Sequence, residues 1–458
     1  MGFLVPVTLF GWIPFVILLF TLMPPRRAVI ASFLLAWLFL PMAGYGVPGL
    51  PDYTKMSATT FGVLIGAALF DTDRLLSWRP KWVDLPMFVW CCCPLMSSYL
   101  NGLGLYDGVS EIVRAFIGWG LPYVIGRVYF NDLESLRELA IGIFIGGLIY
   151  VPFCWFEVRF SPQLHKWVYG FRQHSFIQNV RDGGYRPMVF MQHGLMVGMW
   201  MGMTTMIGVW LWQSRTVRKV WDIPMYVLLP AMFLTVYLCK SKYAVLLLGM
   251  GMIALYSAKW LRTKALIICL LCVPLTYAVL RASGELTGDS MIRWAEGAFG
   301  EDRAKSLAMR LNNENVLAER AMEKPVWGWG GWGASRVQDE QGKDLITDSL
   351  WIITLGKYGW VGLVSLMTVL LLPMILVVKD WRVELWHHAA VAPVVALAIV
   401  CTLYMFDHLM NGMVNPIFML AAGAVGSAHY MFPAMANRAT ARQMVQARPV
   451  FGAQPRPA

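Results

Sequence analysis

Residues 349–378 read SLWIITLGKYGWVGLVSLMTVLLLPMILVV and contain a single charged side chain, Lys357. About 20 predominantly apolar residues are enough to carry a helix across the hydrocarbon core of a bilayer. This stretch is longer than that minimum. It therefore predicts a membrane-spanning helix, and similar apolar runs recur along the rest of the chain.

The composition agrees with a membrane protein. Of the 458 residues, 58% are hydrophobic and 14% are charged, whereas soluble domains have roughly 45–50% apolar and about 25% charged residues. A soluble enzyme, a coiled coil and a disordered chain are thereby excluded. We predict an all-α polytopic membrane protein with about 13 transmembrane helices. The apolar runs lie at about 3–23, 28–43, 57–70, 84–100, 109–130, 139–156, 187–212, 223–239, 243–258, 265–280, 349–378, 389–410 and 414–432.

Basic residues concentrate in every second connector between these runs. Connectors rich in Lys and Arg stay on the cytoplasmic side of a membrane. The net charge of +11 is therefore mainly an orientation signal, and it does not indicate nucleic-acid binding. The alternation predicts a cytoplasmic C-terminus. The basic connectors contain Arg26 and Arg27; Arg74, Arg79 and Lys81; Arg127 and Arg137; Arg215, Arg218 and Lys219; Lys259, Arg262 and Lys264; and Lys379 and Arg382.

Four segments follow from this topology. Residues 1–280 form an N-terminal transmembrane bundle with an outer loop at 157–186, and 281–347 form a long periplasmic loop. C-terminal transmembrane helices at 348–432 precede a cytoplasmic tail, which we expect to be disordered. The tail covers 433–458. Because all cytoplasmic loops are short, any chemistry is expected on the outer side.

The outer loop is unusually basic for its side of the membrane. It contains Arg172, Arg181 and Arg186 among other cations, and Lys242 lies in a short outer turn further on. The planar guanidinium group matches phosphate oxygens in a bidentate manner. A lipid diphosphate is therefore a candidate ligand for these four residues. Contact with anionic lipid head groups is the alternative for the loop, and snorkelling is the alternative for the turn.

The long periplasmic loop combines a helix with a glycine- and tryptophan-rich segment. The helix is expected from about Asp302 to Glu323, before Pro325. The following VWGWGGWGASR contains Trp327, Trp329 and Trp332. Indole rings offer flat faces on which sugars stack, although tryptophans also form interfacial belts.

Asp348 stands at the outward mouth of the span quoted first. A carboxylate there can accept a proton from a sugar hydroxyl, or it can cap the helix. Within the spans, Glu111 and Arg114 are expected to pair with each other, and Lys357 must find a carbonyl or a carboxylate. No metal and no cofactor are expected, and the Asp71-x-Asp73 motif lies in a cytoplasmic connector without a nucleotide-binding domain.

The stretch from Arg310 to Gly362 resembles the bacterial O-antigen ligase and O-antigen polymerase family. The resemblance rests on Arg310 in a helix, then on Pro325, Gly328 and Gly330, a polar residue before the next span, and the glycine spacing of LGKYGWVG. Two further elements match: Arg186 in GYRPMVFMQHG, and Lys242 in KSKYAVL, where the family usually has arginine. Ligases of the family usually have histidine at the position of Asp348, and this departure favours a polymerase-like activity.

The resemblance implies a metal-independent membrane glycosyltransferase of the GT-C class. Its donor would be a glycan on undecaprenyl diphosphate, and its acceptor another glycan or a lipid-linked acceptor. Arg310, Arg186 and Lys242 would stabilise the leaving diphosphate, and Asp348 would deprotonate the acceptor hydroxyl. Membrane lipids and proteins of polysaccharide export or chain-length control are the expected partners, and nucleic acid is not.

Two hypotheses of other classes stay open at the sequence level. A transporter or flippase for a lipid-linked anionic glycan would show charged residues deep in several spans and helices broken at the midplane. A structural subunit of an export complex, inactive because Asp348 replaces a histidine, is the other.

Overall fold

The structure is a computed structural model that describes residues 2–181, 183–286, 288–289, 292–293, 296–297, 301–331, 333–338, 341–345 and 348–431. The tail predicted at 433–458 lies outside these residues. Most of the chain is helical. This is expected for an apolar chain, because a helix satisfies its own backbone groups where no water is present.

The helices follow one another along the chain with short connectors. In the first half they are α1 (Leu4–Leu22), α2 (Pro25–Phe39), α3 (Lys55–Phe70), α4 (Thr72–Ser77), α5 (Leu85–Leu100), α6 (Leu105–Ala115), α7 (Leu121–Tyr129), α8 (Leu133–Phe160) and α9 (Leu164–Tyr169). In the second half they are α10 (Gly194–Gln213), α11 (Met225–Leu238), α12 (Lys242–Leu261), α13 (Ala265–Ala282), α14 (Glu301–Met322), α15 (Leu350–Asp380), α16 (Ala392–His408) and α17 (Pro416–Gly426).

Within the described chain, seven helices are long and apolar enough to cross a membrane, fewer than the 13 apolar runs of the sequence. The other six runs are also helical over part of their length, as shorter or segmented helices. One of them is divided by a π-helical turn, Phe116–Gly120, between α6 and α7. The seven are Leu4–Leu22, Trp82–Leu100, Leu133–Phe160, Gly194–Gln213, Lys242–Leu261, Ala265–Ala282 and Leu350–Asp380.

The centre of the bundle is formed by α10, α16 and α17. Every residue of α16 and α17 is buried, and α10 is buried along nearly its whole length. A helix that is apolar on all sides lies in a protein core or against lipid. Because α10, α16 and α17 are buried in the protein, they have little surface for lipid, whereas α1, α12 and α13 are more exposed.

Small antiparallel hairpins interrupt the connectors. They pair Gly44–Val47 with Leu50–Thr54, Val180–Arg181 with Gly184–Tyr185, and Lys219–Val220 with Ile223–Pro224. Single-turn 3₁₀ helices lie at Trp82–Asp84, Ile177–Asn179, Val383–Leu385 and Ala428–Tyr430.

The outer loop begins later, and the next span begins later, than the sequence predicts. α8 continues to Phe160, and the run expected from residue 187 becomes helical only at Gly194. The cause is Glu157, whose buried carboxylate accepts the backbone N–H groups of Met188 and Val189 at 2.8 and 2.7 Å. These hydrogen bonds hold the residues just before α10 in a loop conformation.

Candidate functional site

The segment 281–347, which the sequence predicts to be an outer loop, contributes one helix to the site, and this helix packs on α15. The sequence predicts it from about Asp302 to Glu323, and α14 confirms this with Glu301–Met322. Residues three or four positions apart share one face of a helix. The face of α14 that is buried in the protein contains Leu311, Leu317, Ala318 and Ala321.

Glu314 anchors α14 through the same buried face. Its carboxylate accepts the Ser349 hydroxyl, and it accepts the Trp351 indole N–H at 3.3 Å. It also accepts the Tyr277 hydroxyl at 3.2 Å and lies 3.4 Å from the guanidinium of Arg281. Burial raises the pKa of Glu314, while these partners act in the opposite direction. A buried, hydrogen-bonded carboxylate therefore positions α14 against α15.

Arg310 lies about one helical turn before Glu314, on the same side of α14. Its Nη2 lies 2.8 Å from Oδ2 of Asp348, the residue before Ser349. Both side chains stay accessible, with 29% of the arginine and 41% of the aspartate exposed. The N-cap of α15 is Ser349, so Asp348 does not cap this helix. The structure thus brings the two predicted catalytic residues into contact.

A cavity of about 460 Å³ opens beside this ion pair. Arg181 from the outer loop also lines it, so three of the residues predicted from the sequence meet here. Two guanidinium groups against one carboxylate make the lining cationic, which favours a phosphate-bearing ligand. Its remaining lining residues are His174, Gln178, Gln192, His193, Leu195, Met309, Ile353, Asn411, Gly412 and Met413.

His193 is a neutral imidazole in this cavity. Its Nδ1 accepts the backbone N–H of Leu195 at 3.0 Å, which leaves the ring proton on Nε2 as a donor. Burial lowers the pKa of His193 to about 3, and the neighbouring His174, Arg186 and Arg310 add to the effect. The ring centroids of His174 and His193 are 4.8 Å apart. The site therefore keeps a hydrogen-bond donor that does not charge near neutral pH.

Arg186 and Lys240 form hydrogen bonds next to Arg181, which lines the cavity. Arg186 is buried, and its Nη2 donates to the carbonyl of Lys240 at 2.9 Å. Lys240 in turn donates to the carbonyl of Arg181 at 2.8 Å. Lys242 is the first residue of α12, it is exposed, and it is not among the lining residues. These contacts join the 157–186 loop to the turn before α12.

The other predicted ligand residues lie elsewhere. Arg172 is exposed, with its guanidinium carbon 4.4 Å from the ring centroid of Phe176. Trp327 packs against the core. The Trp329 ring is covered by Arg320, whose guanidinium carbon lies 3.4 Å from the ring centroid. Neither tryptophan is among the lining residues of this cavity, and Trp332 lies outside the described residues.

The glycine- and tryptophan-rich segment instead pairs with a break in α15. Gly359 has non-helical backbone angles inside this helix. The backbone N–H of Trp329 donates to the carbonyl of Gly356 at 2.8 Å, and that of Gly330 donates to the carbonyl of Lys357 at 2.9 Å. In return the N–H of Trp360 donates to the carbonyl of Pro325 at 2.7 Å. The segment therefore satisfies backbone groups that the break in the helix exposes.

Glycine is required on both sides of this pairing. Gly328 has φ +70° and Gly359 has φ +62°, values that side-chain-bearing residues rarely adopt. A Cβ at Gly328 would lie 2.5 Å from the carbonyl carbon of Lys357, and one at Gly359 would lie 2.3 Å from the carbonyl oxygen of Val326. The two backbones approach too closely for any other residue.

A second, larger cavity of about 710 Å³ adjoins the first, and Ile353 lines both. Its charged residues are paired with each other. Glu111 lies 2.8 Å from Arg114 and 3.0 Å from Lys357, as the sequence predicts for charges within spans. A further ion pair, Arg336 with Asp344, completes its charged lining. The remaining lining residues are Leu317, Gly333, Ser335, Leu345, Ile352 and Gly356.

Sequence reasoning did not select His174, His193, Gln178, Gln192 and Asn411 for the site. Their positions around one cavity depend on packing between the outer loop, α14 and the connector before α17. One signal was available in the sequence: His193 follows Arg186 closely and is a polar residue near the start of the apolar run 187–212.

Comparison with known proteins assigns no family to this site: no family model and no curated protein matches the chain.

Proposed function

We propose that this protein is a glycosyltransferase that polymerises or ligates undecaprenyl-diphosphate-linked glycans on the periplasmic face of a bacterial inner membrane. The observation that carries the proposal is the Arg310–Asp348 ion pair, which lies on a cationic cavity shared with Arg181 and two imidazoles. Support also comes from the Arg310-to-Gly362 motif, in which Gly328 and Gly359 lie where two backbone segments contact each other at the break in α15.

In this reaction the acceptor hydroxyl oxygen attacks the anomeric carbon of the donor sugar, and the bond from that carbon to the diphosphate breaks. The diphosphate leaves with the bonding electron pair, and Arg310 and Arg181 stabilise its charge. The hydroxyl proton passes to the Asp348 carboxylate. The neutral His193 offers a hydrogen bond without adding charge.

The ion pair also supplies a reason for ordered binding. A diphosphate oxygen and the Asp348 carboxylate compete for the same guanidinium donors of Arg310. A bound donor therefore draws Arg310 away and leaves Asp348 free to accept a proton. Without the donor, Oδ2 of Asp348 stays paired with Arg310 at 2.8 Å.

We assign the acceptor glycan to the larger cavity. Its three cations share two carboxylates in ion pairs, and the lining offers both donors and acceptors for sugar hydroxyls. Because Ile353 lines both cavities, an acceptor there lies next to a donor in the smaller one.

The proposal includes the finer topology. Thirteen spans of a GT-C-like bundle would place the N-terminus outside, the C-terminus in the cytoplasm, and both cavities at the outer surface. The alternating basic connectors support this arrangement. The partners would be a polyprenyl-diphosphate-linked donor, a glycan or lipid-linked acceptor, and proteins of export or chain-length control.

Binding of undecaprenyl diphosphate to purified protein in detergent tests the proposal without knowledge of the sugar. We expect Arg310→Ala to weaken this binding at least tenfold, and Asp348→Asn to leave it unchanged or stronger. Arg172→Ala is the matched control, because Arg172 is exposed and lies away from the cavity. Equal affinity in the wild type and in folded Arg310→Ala contradicts the proposal.

A transporter of a lipid-linked anion is the second candidate, favoured by the broken helix α15 and the Lys357–Glu111 pair. Residues 360–380 beyond the break, however, are enough to cross the bilayer by themselves. The backbone carbonyl of Lys357 also accepts a hydrogen bond from the hydroxyl of Ser97, which lies near the end of α5. The break thus lies near the membrane surface. Transfer of glycan by detergent-solubilised protein excludes the transporter, since transport needs a sealed membrane.

A further inference from the structure

A third cavity, which is cationic and has a volume of about 390 Å³, lies at the opposite end of the bundle. The first residues of α15 adjoin the Arg310 cavity. The last residue of α15, Asp380, bonds to His429 beside the third cavity. A helix of 31 residues is roughly 45 Å long. The residues that line this third cavity are Arg74, Ser77, Trp78, Arg79, Lys81, Arg127, Val128, Asn131, Ser427, Tyr430 and Met431.

The wall of this cavity is a buried, hydrogen-bonded framework. Arg127 lies 2.8 Å from Asp84, and its Nη1 donates to the Ser427 hydroxyl at 2.7 Å. Tyr123 donates to the same aspartate at 3.0 Å. These contacts join the start of α5, α7 and the segment after α17. The cavity is therefore built by the fold and is not a gap between mobile side chains.

Cations exceed carboxylates around the cavity. Arg127 pairs with Asp84, and Arg74 lies 3.2 Å from Asp71. Among the described residues, the Arg79 guanidinium and the Lys81 ammonium have no carboxylate partner. Arg79 bonds only to backbone carbonyls, and the Lys81 ammonium lies 3.7 Å from the ring centroid of Tyr430, while the Lys81 backbone N–H donates to the Asp84 carboxylate at 2.8 Å. The sequence after Met431 contains no Asp or Glu. Two positive charges are thus left for an external anion.

The surroundings indicate a lipid as the source of the anion. Leu76, Trp82 and Leu85 lie next to the cavity and are 67%, 53% and 60% exposed. Apolar side chains of this size at the end of a membrane bundle face acyl chains, while neighbouring basic residues reach the head groups. A phospholipid with its phosphate in the cavity therefore covers both surfaces.

We propose that this cavity binds the phosphodiester head group of an anionic phospholipid, held by Arg79 and Lys81. The site does not depend on the proposed enzymatic function. A free phosphate ion has the same chemistry but has no acyl chains to cover Leu76 and Trp82, so its affinity is expected to be far lower.

Lipid binding is measured by native mass spectrometry of purified protein with cardiolipin or phosphatidylglycerol, and with phosphatidylcholine for comparison. The double variant Arg79→Ala/Lys81→Ala is chosen because neither side chain belongs to the buried framework. Each basic residue near anionic lipid contributes about 1 kcal/mol, so we expect about 30-fold weaker binding of the anionic lipids. Phosphatidylcholine binding should not change.

The control is Lys166→Ala/Arg172→Ala, which removes two exposed cations at the outer end, and it should keep wild-type lipid affinity. Equal anionic-lipid affinity in the wild type and the Arg79/Lys81 variant overturns the proposal. Inorganic phosphate is tested alone by thermal shift in detergent. If it stabilises the wild type as much as cardiolipin does, and the variant not at all, the site is one for free phosphate and the assignment to lipid is wrong.

Discussion

Nη2 of Arg310 lies 2.8 Å from Oδ2 of Asp348, and the two side chains come from different segments, α14 and the chain just before α15. The pair depends on Glu314, one helical turn after Arg310, because its carboxylate binds Ser349, the neighbour of Asp348. A buried anchor thereby positions a more exposed ion pair at the edge of a cationic cavity.

Reversal of the ion pair separates its structural from its catalytic role. The double variant Arg310→Asp/Asp348→Arg keeps the attraction between the two positions, so we expect its melting temperature to stay near that of the wild type. It should lose undecaprenyl diphosphate binding and glycan transfer, because the cation and the base have changed places. Wild-type binding in the reversed variant contradicts a ligand role for Arg310.

Loss of the Glu314 anchor is expected to be far more destabilising than loss of an exposed charge. Glu314→Ala leaves the buried Arg281 without its carboxylate and removes the acceptor of Ser349, Trp351 and Tyr277. The expected loss of stability is about 3–5 kcal/mol, measured by tryptophan fluorescence during thermal unfolding. Glu319→Ala, at an exposed position of the same helix, should change stability little. Similar effects of the two variants would refute the anchoring role.

Acid should destabilise the folded protein through His193. The unfolded chain binds a proton at this histidine near pH 6.5, whereas the folded protein binds it only near pH 3. The unfolded state thus holds more protons between these values, and stability falls as the pH is lowered through this window. The loss amounts to roughly 2 kcal/mol at pH 5 relative to neutral pH.

His193→Asn should remove this part of the pH dependence in thermal unfolding curves recorded between pH 7 and pH 4.5. His387→Asn, at an exposed position, is the control and should leave the profile unchanged. A profile of the His193 variant identical to that of the wild type would show that His193 does not stay neutral in the folded state.

The break in α15 is expected to tolerate no side chain. Gly359→Ala places a Cβ 2.3 Å from the Val326 carbonyl oxygen and also requires a positive φ. We expect loss of correctly folded protein, seen as aggregation in size-exclusion chromatography. Gly249→Ala is the matched control, since a Cβ there meets no other atom within 4 Å, and in a helix it should be neutral or stabilising. Normal behaviour of Gly359→Ala would argue against the pairing with residues 325–330.

A larger side chain at Ile353 should disturb the boundary between the two cavities, where donor and acceptor are proposed to meet. Ile353→Trp places a large ring in the wall that both cavities share, so we expect a higher KM for the acceptor and slower glycan transfer. Val364→Trp serves as the control, because Val364 is exposed on the same helix beyond the break. An unchanged KM for the acceptor would show that the acceptor does not bind in the larger cavity.

The sequence by itself determined the helical, membrane-embedded character of the chain, because hydropathy and helix length depend only on neighbouring residues. It also determined the helix at Glu301–Met322 and the need of Lys357 for a buried partner. In the same way, the spacing of Glu111 and Arg114 was enough to predict their pairing on one helix face.

Only the tertiary structure decided which distant groups meet. The sequence offers Arg172, Arg181, Arg186 and Lys242 as phosphate ligands, and the resemblance favours Arg186 and Lys242, yet of these four only Arg181 lines the cavity with Arg310 and Asp348. The tryptophans were expected to bind glycan, whereas the backbone of their segment closes a broken helix, and His193 and Glu314 gained their roles only from their surroundings. The physical reason is that hydrogen bonds and ion pairs act over a few ångströms, so they depend on how the helices pack and not on the order of residues along the chain.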